Sequence, residues 1–228
     1  MSAMMDEART NGQDAEAPAR PEIFTHKTLV YRLVRTTVWL YLKLRHGMVV
    51  EGALNIPKRG AALIVANHQS VLDIPLMAAS TGRHISFVAR ETLANSKALG
   101  FIMRQCGAVL IRRGAGDKAA MREMVEHLER GDLVAIFPEG TRTHDGTVGD
   151  FKGGALLAAR RAGVPILPAA IRGSFKIWPR SRRLPGPGRI AVRYLGMLPA
   201  EGKQAIVPVR AAVVEGVGSG TFDGLGQT

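Results

Sequence analysis

The chain has 228 residues, of which 46% are hydrophobic, and a formal net charge of +12 at pH 7. This length allows one α/β domain with a full core plus additional segments. The charge favours an anionic partner, namely nucleic acid, an anionic membrane or a phosphorylated metabolite. The single cysteine, Cys106, excludes an internal disulfide bond. No uncharged apolar stretch has the length of a membrane span, and the polar N-terminus does not resemble a secretory signal.

The first 22 residues predict a disordered leading segment. They are rich in Ala, Glu, Asp, Gly and Pro, and they contain five acidic residues and two arginines. A segment with so few large apolar residues cannot form a core of its own.

Residues 23–47 predict a basic amphipathic helix. One side carries a largely apolar stripe made of Val30, Leu33, Val34, Thr37, Tyr41 and Leu44. Such a helix is typical of a membrane interface, although a helix packed on the core of its own domain uses the same stripe. We favour the membrane interpretation because further apolar residues widen the stripe beyond one contact surface, namely Val38, Leu40 and Leu42.

The remaining chain alternates between strand and helix patterns, which predicts an α/β layer structure with functional groups at strand ends. Strands are predicted at 48–54, 61–66, 84–89, 108–112, 133–137, 164–171 and 190–195. Helices are predicted at about 73–80, 91–105, 117–130 and 152–162. We assign 48–198 to a catalytic domain and 199–228 to a Gly-rich tail without a convincing pattern.

A histidine and an aspartate flank the turn after the second predicted strand. His68 follows the strand directly, and Asp73 lies where Pro75 places the start of a helix. A carboxylate that accepts from one imidazole nitrogen fixes the tautomer and makes the other nitrogen a better base. Alternatively, Asp73 only caps its helix in a capping box with Ser70.

The same His-x4-acid spacing occurs twice more, so spacing alone is not diagnostic. His127 precedes Asp132, and His46 precedes Glu51. The pattern places His127 on the polar side of its helix, and we therefore interpret that copy as incidental.

Three further Gly-rich turns carry cations next to predicted strands or helices. They contain Arg112 and Arg113, then Thr141 and Arg142, and finally Lys152. A guanidinium group offers a planar pair of donors to phosphate, and free N–H groups at a helix start also favour anions. The two arginines at 112 and 113 could equally face solvent.

With these motifs in place, the sequence resembles the lysophosphatidic acid acyltransferases, the bacterial 1-acyl-glycerol-3-phosphate acyltransferase family. Four blocks carry the resemblance: Asn-His-x4-Asp at 67–73, Leu-Ile-Arg-Arg at 110–113, Phe-Pro-Glu-Gly-Thr-Arg at 137–142 and Val-Pro-Ile-Leu-Pro at 164–168. The family usually has an acid where Arg112 stands and a lysine where Arg90 stands, so these two departures add or keep positive charge.

The resemblance implies a role for each matching residue. His68 is the catalytic base and Asp73 its orienting partner, while Glu139 and Gly140 shape the acceptor site. The residues that bind the acceptor phosphate would be Arg113, Thr141, Arg142 and Lys152. The implied fold is a mixed, largely parallel sheet flanked by helices, preceded by the amphipathic anchor.

The implied reaction transfers a fatty acyl group from acyl-CoA or acyl carrier protein to the free hydroxyl of 1-acyl-glycerol-3-phosphate, without a metal or other cofactor. The oxyanion donors are not identified, and backbone N–H groups near His68 are the candidates. The expected location is the cytoplasmic face of the inner membrane, as a peripheral or monotopic protein on an anionic surface.

Two alternatives remain at this point. The same chemistry could act on another lysolipid, such as lyso-ornithine lipid or a lysophospholipid. A non-catalytic basic protein that binds membranes or nucleic acid would also be cationic. Nucleic acid is disfavoured because the aromatic residues form no stacking platform.

Overall fold

The computed structural model describes residues 29–90, 109–111, 116–202 and 205–218. The helices are α1 (Leu29–His46), α2 (Asp73–Ser80), α3 (Gly116–Glu129), α4 (Leu157–Ala162), α5 (Ser174–Ile177) and α6 (Ile206–Gly218). The strands are β1 (Val49–Glu51), β2 (Ala62–Ala66), β3 (Ile85–Arg90), β4 (Val109–Ile111), β5 (Leu133–Ile136), β6 (Ile166–Arg172) and β7 (Ala191–Tyr194).

The strands form one seven-stranded sheet in the order β1-β7-β6-β2-β5-β3-β4. Neighbouring strands are parallel except for the antiparallel β6–β7 pair. The predicted mixed, largely parallel sheet flanked by helices is therefore confirmed. The central strands β2 and β5 end side by side, so the loops that follow them meet at one edge.

Helices cover both faces of this sheet, which gives the molecule two hydrophobic cores. Alternate residues of β2 show the division: Ala62, Ile64 and Ala66 pack with α1 and α2, whereas Leu63 and Val65 pack with α3, α4 and α6. All five are fully buried. A strand buried on both faces is typical of a parallel sheet covered by helices.

Helix α1 has two different apolar faces. Tyr31 and Leu42 are buried against the domain, and α1 packs on α2. Leu33 and Leu44 belong to the predicted stripe, and they are 66% and 77% exposed. The helix therefore packs on the core of its own domain through the face opposite Leu33 and Leu44, and not through these two leucines of the predicted stripe.

Helix α6 lies in the tail, where the sequence pattern predicted no element. Val209 and Val213 are fully buried on the α3 and α4 side of the sheet. Pro208 lies in the first turn of the helix, where a missing N–H costs no hydrogen bond. The proline and the glycines near the C-terminal end made the sequence pattern unlike that of a helix. In the folded protein, burial of the two valines stabilises the helix.

Other boundaries differ by short segments. The predicted strand 48–54 ends at Glu51 and is followed by a 3₁₀ turn, Ala53–Asn55, while a second 3₁₀ turn, Gly153–Leu156, replaces the first turn of the predicted helix 152–162. The predicted helix 91–105 lies outside the described residues. Among the described helices, none combines the length and hydropathy needed to cross a bilayer.

Candidate active site

Two loops at the carboxyl ends of β2 and β5 build the site. Residues 67–70 follow β2, and residues 137–143 follow β5. The backbone N–H of Thr143 donates to the carbonyl oxygen of His68 at 2.8 Å. This bond fixes the loop carrying the Glu-Gly-Thr-Arg turn against the loop carrying the histidine.

The structure pairs His68 with Asp73. The Nδ1–H of His68 donates to Oδ2 of Asp73 at 2.9 Å, and Asp73 is fully buried. The same oxygen accepts the backbone N–H groups of Gln69 and Ser70 at 2.6 and 2.8 Å. The bond from the N–H of Ser70 is one of the two bonds of the predicted capping box, although Leu72 is the residue that precedes the helix. Asp73 also fixes the imidazole tautomer.

The imidazole is also held from one side. The ring of Phe137 stacks on that of His68 with centroids 4.1 Å apart and planes 17° apart. The His68 side chain is 16% exposed, and no described residue makes a hydrogen bond to its Nε2. With Nδ1 donating to the carboxylate, Nε2 carries the free lone pair of the neutral ring.

Glu139 supports the backbone of the histidine. Its Oε1 accepts the N–H of His68 at 2.9 Å, and its Oε2 accepts the N–H of Gly149 at 3.3 Å. Burial raises the pKa of Glu139 above its ordinary value, while these two hydrogen bonds act in the opposite direction. The carboxylate of Glu139 thus contacts the backbone of the turn that carries His68.

The backbone N–H groups that the sequence suggested as oxyanion donors already donate to carboxylates of the protein. The N–H of His68 donates to Glu139, and those of Gln69 and Ser70 donate to Asp73. The expectation that N–H groups beside His68 stabilise the oxyanion is therefore wrong for these three residues.

Four of the predicted acceptor residues, Gly140, Thr141, Arg142 and Lys152, lie on or next to the turn after β5. Gly140 has a φ of +70°, and a Cβ at this position would lie 2.9 Å from Nζ of Lys152, so only glycine fits without displacing the lysine. The backbone N–H of Lys152 donates to the carbonyl of Pro138 at 3.1 Å. Thr141 is exposed and Arg142 is half-buried on the same turn. Arg113 lies outside the described residues.

A short network rigidifies the next residues of this loop. Asp145 accepts hydrogen bonds from the N–H and hydroxyl of Thr147 and from the hydroxyl of Thr143, which lowers the pKa of Asp145 to about 2. The side-chain amide of Gln69 donates to the carbonyl of Gly146 at 3.0 Å. The two active-site loops are therefore joined by both backbone and side-chain bonds.

The other two His-x4-acid copies differ from the first. His127 donates to Asp132 at 2.8 Å, but this pair precedes β5 and lies at the opposite edge of the sheet. His127 is buried, so its predicted place on a polar helix face is wrong: the side chain packs beside Ser86 of β3. His46 and Glu51 do not pair, since Glu51 contacts Arg193 at 3.2 Å.

Sequence reasoning assigned no role to three residues that the structure places at the site. Asn67 exchanges two hydrogen bonds with the backbone of Ile171, at 2.8 and 3.0 Å, and so pins the end of β2 to β6. Phe137 supports the imidazole, and its place as the first residue of the block at 137–142 was the signal in the sequence. Arg180 reaches the site from a distant loop, for which the sequence offered no signal.

A metal centre was not expected from the sequence. Among the described residues, no group of three or more His, Cys, Asp or Glu side chains is arranged to hold a metal ion.

A family model and a solved structure indicate the class of protein to which the chain belongs. A family model described as Acyltransferase matches residues 47–172, more than half of the chain, including both active-site loops. A structural match is the 1-acyl-sn-glycerophosphate (LPA) acyltransferase PlsC from Thermotoga maritima. It has a TM-score of 0.73 and 30% identity, covering 82% of this chain and 78% of that one.

Two relatives in sequence have names that specify the same acyltransferase activity. A probable 1-acyl-sn-glycerol-3-phosphate acyltransferase of Mycoplasma pneumoniae is 37% identical over 171 residues, or 72% of this chain and 62% of that protein. The chloroplastic 1-acyl-sn-glycerol-3-phosphate acyltransferase of Arabidopsis thaliana is 35% identical over 133 residues, or 57% of this chain and 37% of that protein. The chain thus spans less than two thirds of these relatives. It belongs to the lysophosphatidic acid acyltransferase family.

Proposed function

We propose that this protein transfers a fatty acyl group from an acyl thioester to the free hydroxyl of 1-acyl-glycerol-3-phosphate, forming phosphatidic acid for phospholipid synthesis. The observation that carries the proposal is the hydrogen bond from His68 to the buried Asp73, which leaves Nε2 free beside a cation-bearing turn. The names of the relatives agree with this reaction.

His68 acts as the general base in this proposal. The acceptor hydroxyl is too weakly acidic to attack a thioester unaided, so Nε2 removes its proton as the oxygen attacks the carbonyl carbon. A C–O bond forms and the C–S bond breaks. The thiolate leaves easily, because the pKa of a thiol is about 8.5, and the proton on His68 passes to it or to solvent. No acyl-enzyme is required.

The turn after β5 binds the acceptor phosphate in this proposal. Arg142 and Lys152 supply positive charge there, and Thr141 supplies an exposed hydroxyl. Among the described residues, neither cation has a carboxylate within ion-pair distance. A phosphate would supply the missing negative charge through charge-assisted hydrogen bonds. By resemblance, Arg113 contributes to the same site.

We also propose that the outer face of α1 rests on the membrane surface. Leu33, Leu40 and Leu44 are 66%, 48% and 77% exposed along one side of the helix. Exposed cations flank this face, namely Arg32, Lys43 and Arg45. Apolar residues bordered by cations suit the headgroup region of an anionic bilayer. A peripheral protein in this position could reach a substrate whose acyl chain stays in lipid.

An acceptor panel tests the proposed reaction. Purified full-length protein is given acyl-CoA or acyl carrier protein thioester with 1-acyl-glycerol-3-phosphate, a lysophosphodiester or a phosphate-free lysolipid. We expect the phosphomonoester to be the preferred acceptor. A preference for lyso-ornithine lipid or a lysophosphodiester would overturn the acceptor assignment.

The base assignment has a matched control in the same chain. His68→Ala should abolish transfer, whereas His127→Ala removes a histidine with an equivalent aspartate contact at the other edge of the sheet. Thermal melts confirm that both variants are folded. More than a tenth of the wild-type rate in His68→Ala would contradict the general-base role.

A further inference from the structure

A loop outside the recognised motifs brings another cation to the turn after β5. Arg180 follows α5, and its Nη1 lies 3.3 Å from the hydroxyl of Thr141 and 3.4 Å from the carbonyl oxygen of Arg142. The same nitrogen lies 3.0 Å from Nε2 of His144. None of these three contacts pairs the guanidinium of Arg180 with a carboxylate.

The position of Arg180 is fixed by bonds on both sides of it in the chain. The Ser70 hydroxyl, in the catalytic turn, donates to the carbonyl of Trp178 at 2.8 Å. The indole N–H of Trp178 then donates to the carbonyl of Arg182 at 3.0 Å. The residue is therefore held over the acceptor turn by the same loop that carries His68.

The exposed carboxylate of Asp145 on this loop accepts hydrogen bonds from Thr143 and Thr147 and forms no ion pair with a described cation. Among the described residues, Arg180 forms no ion pair, and the same holds for Arg142 and Lys152. Three cations without a carboxylate partner favour an anion with several acceptor oxygens. The anion would lie close to the base, because Thr143 of this loop donates to the carbonyl of His68 at 2.8 Å.

We propose that Arg180 is a substrate-binding residue that selects a phosphomonoester headgroup; this inference rests on the proposed acyl transfer. Arg142 and Arg180 offer two guanidinium groups to one phosphate. A phosphomonoester presents three free oxygens and about two negative charges, whereas a phosphodiester presents two oxygens and one charge. Two planar donors therefore favour the monoester. In the acceptor, the free hydroxyl lies on the carbon next to the one that carries the phosphate. Binding of the phosphate by the two arginines therefore also places this hydroxyl near His68.

Steady-state kinetics of the full-length protein test the proposal. Arg180→Ala should raise KM for 1-acyl-glycerol-3-phosphate about 10- to 100-fold, the range expected for lost charge-assisted hydrogen bonds. Because such a contact acts in the ground state, kcat should change by less than about threefold, and KM for the acyl donor should not change. Arg180→Lys should recover part of the loss, because the charge returns without the planar fork.

Arg183→Ala is the matched control. Arg183 is exposed on the same loop, and no hydrogen bond or ion pair involves it among the described residues. We expect its KM values to match those of the wild type. If Arg183→Ala raises the acceptor KM as much as Arg180→Ala does, the effect comes from general surface charge and the proposal fails. The proposal also fails if the acceptor KM of Arg180→Ala is unchanged.

A binding measurement separates this inference from the proposed reaction. Glycerol 3-phosphate serves as a probe that carries the headgroup without the acyl chain. It should raise the Tm of the wild type and of Arg183→Ala but not that of Arg180→Ala. If the wild type binds the probe but does not acylate the lysolipid, the proposed reaction fails while the Arg180 site stands. If Arg180→Ala binds the probe as well as the wild type does, the site fails.

Discussion

The carboxylate of Glu139 accepts the backbone N–H of His68 at 2.9 Å, although the two residues are 71 positions apart. Resemblance assigned Glu139 to the acceptor site, whereas the structure places its carboxylate against the backbone of the turn that carries His68. We infer that it acts through the position of His68.

Glu139→Gln tests this positioning role. A glutamine side chain has one acceptor oxygen for the two N–H groups that Glu139 satisfies, so one buried donor loses its partner. We expect kcat to fall about tenfold, because a loss of 1–3 kcal/mol at this contact displaces the base. KM for the acceptor should stay within about twofold.

The control for Glu139→Gln is Asp150→Asn, which removes a nearby charge that is fully exposed. It should behave as the wild type does. If Glu139→Gln instead raises the acceptor KM with kcat intact, Glu139 touches the substrate.

Asp73→Asn should reverse the preferred tautomer of His68 and so remove the lone pair from Nε2. By analogy with the equivalent change in serine proteases, we expect kcat to fall about 10³- to 10⁴-fold. Asp132→Asn makes the same change in the remote His127 pair and should leave kcat within about twofold. Similar losses in both variants would point to a general effect on folding, and circular dichroism of each distinguishes the two cases.

The pair of His127 and Asp132 should make the free energy of unfolding depend on pH. Burial favours the neutral form of Asp132, but the hydrogen bond from His127 and the positive charges nearby outweigh it, and the pKa falls below the ordinary 3.8. A lowered pKa in the folded state stabilises the protein above pH 3.8, and this contribution is lost as pH falls through the folded value.

Urea unfolding of Asp132→Asn measures that contribution. We expect the free energy of unfolding to be lower than that of the wild type at pH 7 and pH 5, with the difference shrinking at pH 3 and below. A difference that is constant across this range would show that Asp132 acts through neutral hydrogen bonding alone.

The outward face of α1 should govern membrane binding. Deleting the helix would also remove the buried residues Tyr31 and Leu42, so point changes are the cleaner test. The pair Leu33→Ser and Leu44→Ser should weaken binding to anionic vesicles at least about tenfold, because burying one leucine contributes about 1.5–3 kcal/mol.

Sedimentation with anionic vesicles at low and high salt measures this binding. Val207→Ser is the control, since Val207 is 60% exposed on α6, which packs on the other face of the sheet. Wild-type binding should weaken but persist at high salt, because salt screens the cations and not the apolar contact. Unchanged binding of the double variant would place the membrane contact elsewhere.

Local patterns in the sequence determined much of this protein. Strand and helix periodicity predicted the α/β sheet, and the alternation of elements predicted that functional groups lie at strand ends. The pairing of His68 with Asp73 was also predictable, because both belong to one strand-to-helix turn whose geometry is set by nearby residues. The catalytic roles of these residues remain predictions.

Only the tertiary structure decided the contacts made across the chain. The identical spacing of His127 and Asp132 also forms a hydrogen bond, and its place at the amino ends of the strands separates it from the site. Arg180 reaches the acceptor turn because its loop folds back onto Ser70. Likewise, α1 has two apolar faces, and the packing of the folded domain determines which one is buried. Such contacts depend on long-range packing, which local propensity and periodicity do not encode.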